Sequence, residues 1–166
     1  MSTAVLSLGS NVGDRLGHLR RCVQGFAATV RAVSPVYATQ PWGGVEQGEF
    51  LNAVLLVDDE TADAAEWLCR SQQQEAVARR SRAVHWGPRT LDVDVISVDD
   101  VHSADPDLTL PHPHAHERAF VLVPWLAAAP AAVLPGHGPV EQLVARLPAA
   151  QRCGVRRRDE LVLVSR

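Results

Sequence analysis

The 166-residue chain contains no lysine; all 16 of its basic residues are arginine. That absence excludes a Walker-type loop, whose GxxxxGK[ST] needs a lysine for the phosphates, and any chemistry through a lysine Schiff base. Phosphate chemistry in this chain has to rest on arginine and metal. Cysteine is also sparse. Cys22, Cys69 and Cys153 are far apart, odd in number and form no CxxC pair. Neither a disulfide framework nor a zinc knuckle is expected, and the thiols read as reduced, in a cytoplasmic protein. No basic stretch precedes the first, short apolar run, so neither a signal peptide nor a membrane span is expected. Net charge is only −3, which leaves no footprint for nucleic acid or an anionic membrane. No repeat or low-complexity linker divides the chain. Residues 1–166 read as one domain, large enough to bury a core without disulfides, and a monomer is expected.

What the chain does have is concentrated in Trp86-Gly87-Pro88-Arg89-Thr90-Leu91-Asp92-Val93-Asp94-Val95-Ile96. The stretch starts as a rigid turn, because Pro88 fixes its own φ and biases Gly87 toward an extended conformation. It continues as a strand whose alternation puts Leu91, Val93 and Val95 on one face and Asp92 and Asp94 on the other. At about 3.3 Å per residue, the two carboxylates emerge roughly 6.6 Å apart. A cation relieves their repulsion, and Mg²⁺ accepts one or two carboxylates completed by waters and substrate phosphates. Arg89 adds a planar guanidinium suited to phosphate, and Arg79-Arg80-Ser81-Arg82 lies just upstream. Alone, Asp-x-Asp on a strand is more often the solvated face of an edge strand. The adjoining Trp-Gly-Pro-Arg and the arginines favour a metal–nucleotide site.

The remaining pattern predicts a fold. Residues 3–8 read as a buried strand, and Asp14 caps a helix carrying Leu16, Leu19, Val23, Phe26 and Val30 to about residue 31. Gly9-x-x-x-Gly13 before that helix is a weak phosphate-loop signal, and a plain turn is the stronger reading. Residues 32–38 form a second strand, broken by Pro35 and so placed at an edge or bulge. Residues 39–49 are a glycine-rich loop carrying Trp42, a lid or recognition element. A third strand over residues 50–57 puts Phe50, Asn52, Val54 and Leu56 on one face. The Asn52 amide there needs a partner, either neighbouring backbone or a ligand.

Thr61 caps a second helix running to about Val77, and the Asp-bearing strand is the fourth. An acidic loop over residues 99–107 follows, then His112, His114 and His116 at alternate positions. Zinc is the weaker reading of these histidines, since structural zinc sites more often use cysteine or separated pairs. Helical pattern covers residues 114–129, with a kink or a start near Pro124, and a short helix covers 139–147. A polar turn at residues 156–160 and a strand close the chain. The order β-α-β-β-α-β is the ferredoxin-like arrangement. The expected fold is α+β, with helices on one face of an antiparallel sheet and additional C-terminal elements against that core. This fold hosts many functions, so the site must carry the chemistry.

Trp86 to Asp94, reading WGPRTLDVD, resembles the signature of the 6-hydroxymethyl-7,8-dihydropterin pyrophosphokinase family of folate biosynthesis, and other landmarks agree over about residues 4–130. Gln72-x-x-Glu75 followed by Arg80-x-Arg82 keeps the family's spacing, as does Thr109-x-Pro111-His112 followed by Arg118-x-Phe120. The resemblance implies pyrophosphate transfer from ATP to the pterin hydroxymethyl group with release of AMP, using two Mg²⁺ ions. It implies Asp92 and Asp94 as metal ligands and Arg80, Arg82 and Arg89 as catalytic arginines. For ATP it implies Gln72, Glu75, Arg82, Trp86, Arg89, Val95, Thr109, His112 and Arg118. For the pterin it implies Thr39, Gln40, Trp42, Phe50, Asn52, Trp86 and Phe120. Three positions depart from the pattern: Asp107 for a frequent arginine, Pro113 for an aromatic, and Trp42 for an aliphatic. The C-terminal third carries no motif.

The residues support this chemistry apart from the resemblance. A pterin is flat with a polar edge, so Phe50, Phe120 or a tryptophan can stack on it while Asn52 reads the edge. The polyphosphate charge can be met by metal on Asp92 and Asp94 and by Arg80, Arg82, Arg89 and Arg118. His112 suits a hydrogen bond to phosphate rather than general-base work. A metal-dependent phosphohydrolase or nuclease would use the same acids, but the acidic inventory is thin and the aromatic–amide set implies a flat acceptor. A non-enzymatic binding module leaves the paired acids and the arginine cluster without a purpose.

Overall fold

The computed structural model describes residues 1–40, 48–80 and 90–164, Arg80 by its backbone alone. β1 (Ser2–Ser10) leads into α1 (Arg15–Gly25), then β2 (Val30–Val33), β3 (Tyr37–Thr39), β4 (Phe50–Asp59), α2 (Ala64–Arg80) and β5 (Asp92–Val98). A hairpin of β6 (Ser103–Asp105) and β7 (Leu108–Leu110) follows, then a 3₁₀ turn at Ala115–Glu117 and α3 (Ala119–Ala128). The chain closes with β8 (Val133–Leu134), β9 (Gly138–Pro139), α4 (Val140–Arg146), α5 (Ala149–Cys153) and β10 (Val155–Arg157). The main antiparallel sheet runs β10-β3-β4-β1-β5, with β2 paired to the other end of β4. Counting β2 and β3 as one interrupted strand gives the expected β-α-β-β-α-β core with β4 and β1 at its centre.

Local chemistry explains the boundaries, including those that differ from the pattern. The Asp14 carboxylate accepts the Gly17 N–H at 3.0 Å, and a Cβ on residue 17 would sit 2.1 Å from Asp14 Oδ2, so the cap needs glycine there. α1 stops at Gly25 instead of about residue 31. The Thr29 N–H and hydroxyl both bond Phe26 O, at 2.8 and 3.0 Å, and Val30 is drawn into the sheet. Pro35 interrupts the second strand as expected. The Ser34 hydroxyl there takes the Val54 N–H at 2.8 Å, so the central strand keeps its hydrogen bond.

α2 is capped by Asp63, whose Oδ1 accepts Glu66 N–H at 2.8 Å; Thr61 is instead held by Asp59. The acidic loop is a hairpin, and Arg118, extended at φ −105°, separates the 3₁₀ turn from an α3 that runs through Pro124. The closing strand comes before the polar turn rather than after it. Arg156 and Arg157 sit in β10, an edge position that tolerates charge.

Strand alternation divides the interior into two cores. On one face α1 and α2 pack Leu19, Val23, Phe26 and Trp67 onto Leu6, Leu8, Leu55, Val57, Val93 and Val95. Trp67 is fully buried and its Nε1–H bonds Ser2 Oγ at 2.8 Å. On the other face, Leu122 and Trp125 of α3 and Leu143 of α4 pack onto Val5, Val54 and Ile96. The two core helices therefore share one face, as expected, and the additional C-terminal helices cover part of the other. The cause is that β1 and β4 are apolar on both sides, and that α3 is apolar nearly all round and has to be buried.

Candidate active site

The second face is only partly covered, and the gap is a cavity of about 1130 Å³. Its floor is set by register. Asn52 of β4, Gly9 of β1 and Asp92 of β5 lie in one row across the sheet, and Val54, Ser7 and Asp94 in the next. Paired residues share a face, so the Asn52 amide and the Asp92 and Asp94 carboxylates all belong to the cavity side. Two strand spacings separate Asn52 from Asp92, about 10 Å. Gly9 keeps the floor between them low: a Cβ there would come 3.3 Å from Asn52 Oδ1 and 3.8 Å from Phe50 Cδ1.

Asn52 is 3% exposed, and its Nδ2 donates to Thr39 Oγ1 at 2.8 Å. The partner is thus a neighbouring side chain, and it fixes which way the amide points. Phe50, Thr39 and Gln40 complete this end of the cavity. Arg118, Ala119 and Phe120 line the cavity from the start of α3. The Arg118 guanidinium lies over the Phe120 ring, 5.6 Å from its centroid.

β5 is tethered from behind. Glu75 of α2 accepts the Val93 N–H, between the two aspartates, at 2.9 Å. Burial raises the Glu75 carboxyl above its usual range, the Val93 bond lowers it, and the Asp92 and Asp94 charges raise it further. His112 is held by its own backbone N–H to Ile96 O at 2.8 Å, and its Nδ1 accepts the His114 N–H at 3.2 Å. Burial lowers its basicity, with Asp94 opposing. A neutral His112 whose Nδ1 accepts carries its proton on Nε2 and is a donor.

Of the residues singled out in the sequence, Thr39, Gln40, Phe50, Asn52, Asp92, Asp94, Arg118 and Phe120 line this one cavity. Others stand off it. Gln72 is exposed on α2, Val95 packs its side chain in the opposite core, and the Thr109 hydroxyl bonds Asp105 O at 2.9 Å. Arg80 ends α2, and Trp42, Arg82, Trp86 and Arg89 lie outside the described residues. The three histidines diverge. His114 pairs with Glu117 at 2.9 Å, while His116 stacks on His137 with centroids 4.3 Å apart. Among the described residues no three potential metal ligands converge, which disfavours zinc. A carboxylate pair facing an open cavity fits Mg²⁺, which takes the rest of its shell from water and phosphate.

The cavity also has walls the sequence did not mark. Ser7 lines it from β1, Ala150 and Gln151 from α5, Gly154 from the link that follows and Val155 from β10. Gly9, weighed in the sequence as a weak phosphate-loop signal, instead sits inside β1 and lines the floor. No comparable sign exists for α5, which is five residues long and too short to show a face.

The chain matches the family model described as 7,8-dihydro-6-hydroxymethylpterin-pyrophosphokinase over residues 5–130. Proteins named 2-amino-4-hydroxy-6-hydroxymethyldihydropteridine pyrophosphokinase resemble it closely. Those of Mycobacterium tuberculosis and Mycobacterium leprae are each 49% identical, covering 94% of this chain and 89% and 88% of their own. That of Bacillus subtilis is 41% identical, covering 73% of this chain and 74% of its own. The crystal structure of Plasmodium falciparum HPPK-DHPS with pteroate matches with a TM-score of 0.68 over 87% of this chain, at 11% identity, a likeness of fold alone. This chain spans 44% of that longer one. With a family match over residues 5–130 and mycobacterial relatives at 49% identity along nearly its whole length, the chain belongs to the 7,8-dihydro-6-hydroxymethylpterin-pyrophosphokinase family.

Proposed function

We propose that the chain transfers the pyrophosphoryl group of ATP to the hydroxymethyl group of 6-hydroxymethyl-7,8-dihydropterin, giving the pterin diphosphate and AMP in folate biosynthesis. The observation that carries this reading is the shared floor: a tethered amide and an aromatic at one end, paired carboxylates at the other, a glycine between. The separation of about 10 Å is one a fused bicyclic ring and an exocyclic carbon can bridge.

In this reading Asn52 and Thr39 hold the polar edge of the pterin, and Phe50 and Phe120 pack its faces. Gln40, Trp42 and Trp86 complete the acceptor site. The carbinol carbon is thereby aimed at Asp92 and Asp94, the residues that would hold two Mg²⁺ ions. Bound there, the metal would supply charge neutralisation along the polyphosphate. The chain contributes positioning and further charge: Arg80, Arg82 and Arg89 on the phosphates, Arg118 from the α3 side, and His112 as an Nε2–H donor to a phosphate oxygen. Glu75 acts at one remove by fixing the strand that carries both acids. Gln72, Val95 and Thr109 contribute to the nucleotide side. The acceptor hydroxyl attacks the β-phosphorus in line, AMP departs with the electrons of the broken phosphoanhydride bond, and the hydroxyl proton is released to solvent.

Incubation with ATP, Mg²⁺ and the reduced pterin alcohol, followed by chromatography, tests the reading. AMP formed one-for-one with pterin diphosphate is expected. ADP with a pterin monophosphate would make the enzyme an ordinary kinase, and pterin-independent phosphate release a hydrolase. The same reading has one domain acting as a cytoplasmic monomer, which light scattering on the purified protein checks for mass.

A further inference from the structure

Four residues of the cavity wall, Ala150, Gln151, Gly154 and Val155, come from α5, the link after it and β10. They lie beyond residue 130, where the family match ends, and the mechanism above uses none of them. Only Gln151 among them has a polar side chain. It is partly buried, its backbone N–H is taken by Pro148 O at 3.0 Å, and no hydrogen bond ties its side chain to another described residue. Its amide offers both donors and an acceptor to whatever fills the cavity.

The position of α5 is fixed from two directions. β10 pairs with β3 so that Val155 lies opposite Thr39, whose hydroxyl holds Asn52. Arg156 pairs with the Glu49 carboxylate, while Arg15 donates to the Glu49 carbonyl at 2.6 Å, and Glu49 directly precedes Phe50. Thus β10 is tied to the strand ends that carry both Thr39 and Phe50. α5 runs straight into it through Gly154, where a Cβ would lie 3.2 Å from Ala150 O. In the sheet β10 stands four strand spacings from β5, about 19 Å, so Gln151 belongs to the acceptor end of the cavity and not to the end with the aspartates.

We infer that Gln151 is a specificity-determining residue for the acceptor, its amide hydrogen-bonding the polar edge of the flat heterocycle beside Asn52. This rests on the function proposed above and deepens it. One N–H of the Asn52 amide is already committed to Thr39, and a ring edge of alternating N–H and C=O groups has more partners to satisfy than that amide can supply. A second amide from the α5 wall meets the remainder.

The test compares the wild-type chain with Gln151→Ala and Gln151→Glu, measuring KM for the pterin alcohol and for ATP separately, with thermal unfolding alongside. Gln151→Ala should raise the pterin KM by about tenfold, the loss of one to two neutral hydrogen bonds. The ATP KM and the melting temperature should stay put. Gln151→Glu keeps the length and an acceptor but loses the donors, and should raise the pterin KM too. An unchanged pterin KM in both variants overturns the inference, as does an ATP KM that rises equally. Should Gln151→Ala lower the melting temperature, Gln151→Glu decides alone. A wild-type protein that makes no AMP defeats the proposed function itself. Calorimetric titration of pterin into wild type and variants then decides Gln151 independently, equal affinities counting against it.

Discussion

The two faces of the sheet are built from the same strands and do opposite things. One face is closed: Leu6, Leu55 and Val93 meet α1 and α2 in a continuous apolar core. The other is covered only where Val5, Val54 and Ile96 meet α3 and α4; where Ser7, Asn52, Asp92 and Asp94 alternate with core residues it stays open. A single residue of register shift in β5 would exchange Val93 for Asp92, moving the acids into the closed core. The closed face therefore specifies the register that aims the site, and the open face is left to present polar groups and aromatic faces there. Changes on the closed face should alter stability with little effect on ligand affinity, and changes on the open face the reverse.

The largest expected effect is on the open side. Asp92→Asn and Asp94→Asn keep the shape of the floor and remove charge, and activity should fall on the order of a hundredfold or more. Melting temperature without ligand should hold or rise slightly as carboxylate repulsion is relieved. Near-full turnover of either variant at saturating Mg²⁺ would remove the acids from the metal role. Its counterpart is Leu19→Ala, at a position fully buried in α1. It should cost about 2–5 kcal/mol of stability in denaturant unfolding, yet leave both KM values alone at a temperature where the protein stays folded. A selective change in the pterin KM would show the two faces to be coupled.

A third test uses the thiols. Burial pushes the Cys22 thiol up to about 12, with the Glu75 charge adding to the effect, whereas Cys69 and Cys153 are exposed. Native protein at pH 8 should present two thiols to a colorimetric disulfide reagent and three after denaturation. Rapid reaction of Cys22 in the native state would mean that the closed face opens readily.

How much of this could be read in the sequence follows the same division. Alternation alone placed Asp92 and Asp94 together and put Asn52 on an apolar face, because a strand's period of two survives any tertiary context. It could not show that Thr39 holds the Asn52 amide. That bond depends on β3 pairing with β4 across a loop. The boundaries that moved were set by side chains competing for backbone groups: Asp63 over Thr61 as a cap, and Thr29 ending α1. The C-terminal third was the least legible. α3 is too uniformly apolar to show a face, and β10, with α5 leading into it, is brought to the cavity by contacts with residues more than a hundred positions away, the pairing with β3 and the Arg156–Glu49 ion pair.

The smallest effect probes the rim of the closed face. At the end of β4 the Asp59 carboxylate accepts the Thr61 N–H at 2.7 Å, Arg70 Nη1 at 2.8 Å and the Thr61 hydroxyl at 2.8 Å. These bonds, the backbone one first, hold its pKa well below the usual carboxylate range. Arg70 also bonds Glu66 at 2.7 Å and lies 5.1 Å from the Trp67 ring centroid, so the group stitches β4 to α2 beside the core tryptophan. A carboxyl depressed in the folded state stabilises fully above its unfolded value, about 3.9, and less and less as pH falls through the folded one. Wild type should therefore melt slightly above Asp59→Asn near neutral pH, with the gap narrowing from about pH 5 downward and vanishing once the carboxyl is protonated in both states. The gap should be modest and should shrink in high salt, because the Asp59 and Arg70 side chains are only partly buried. Melting curves for the two proteins that run parallel down to the acid limit would mean the cluster contributes nothing through its charge. The closed face would then be held to the sheet by apolar packing alone.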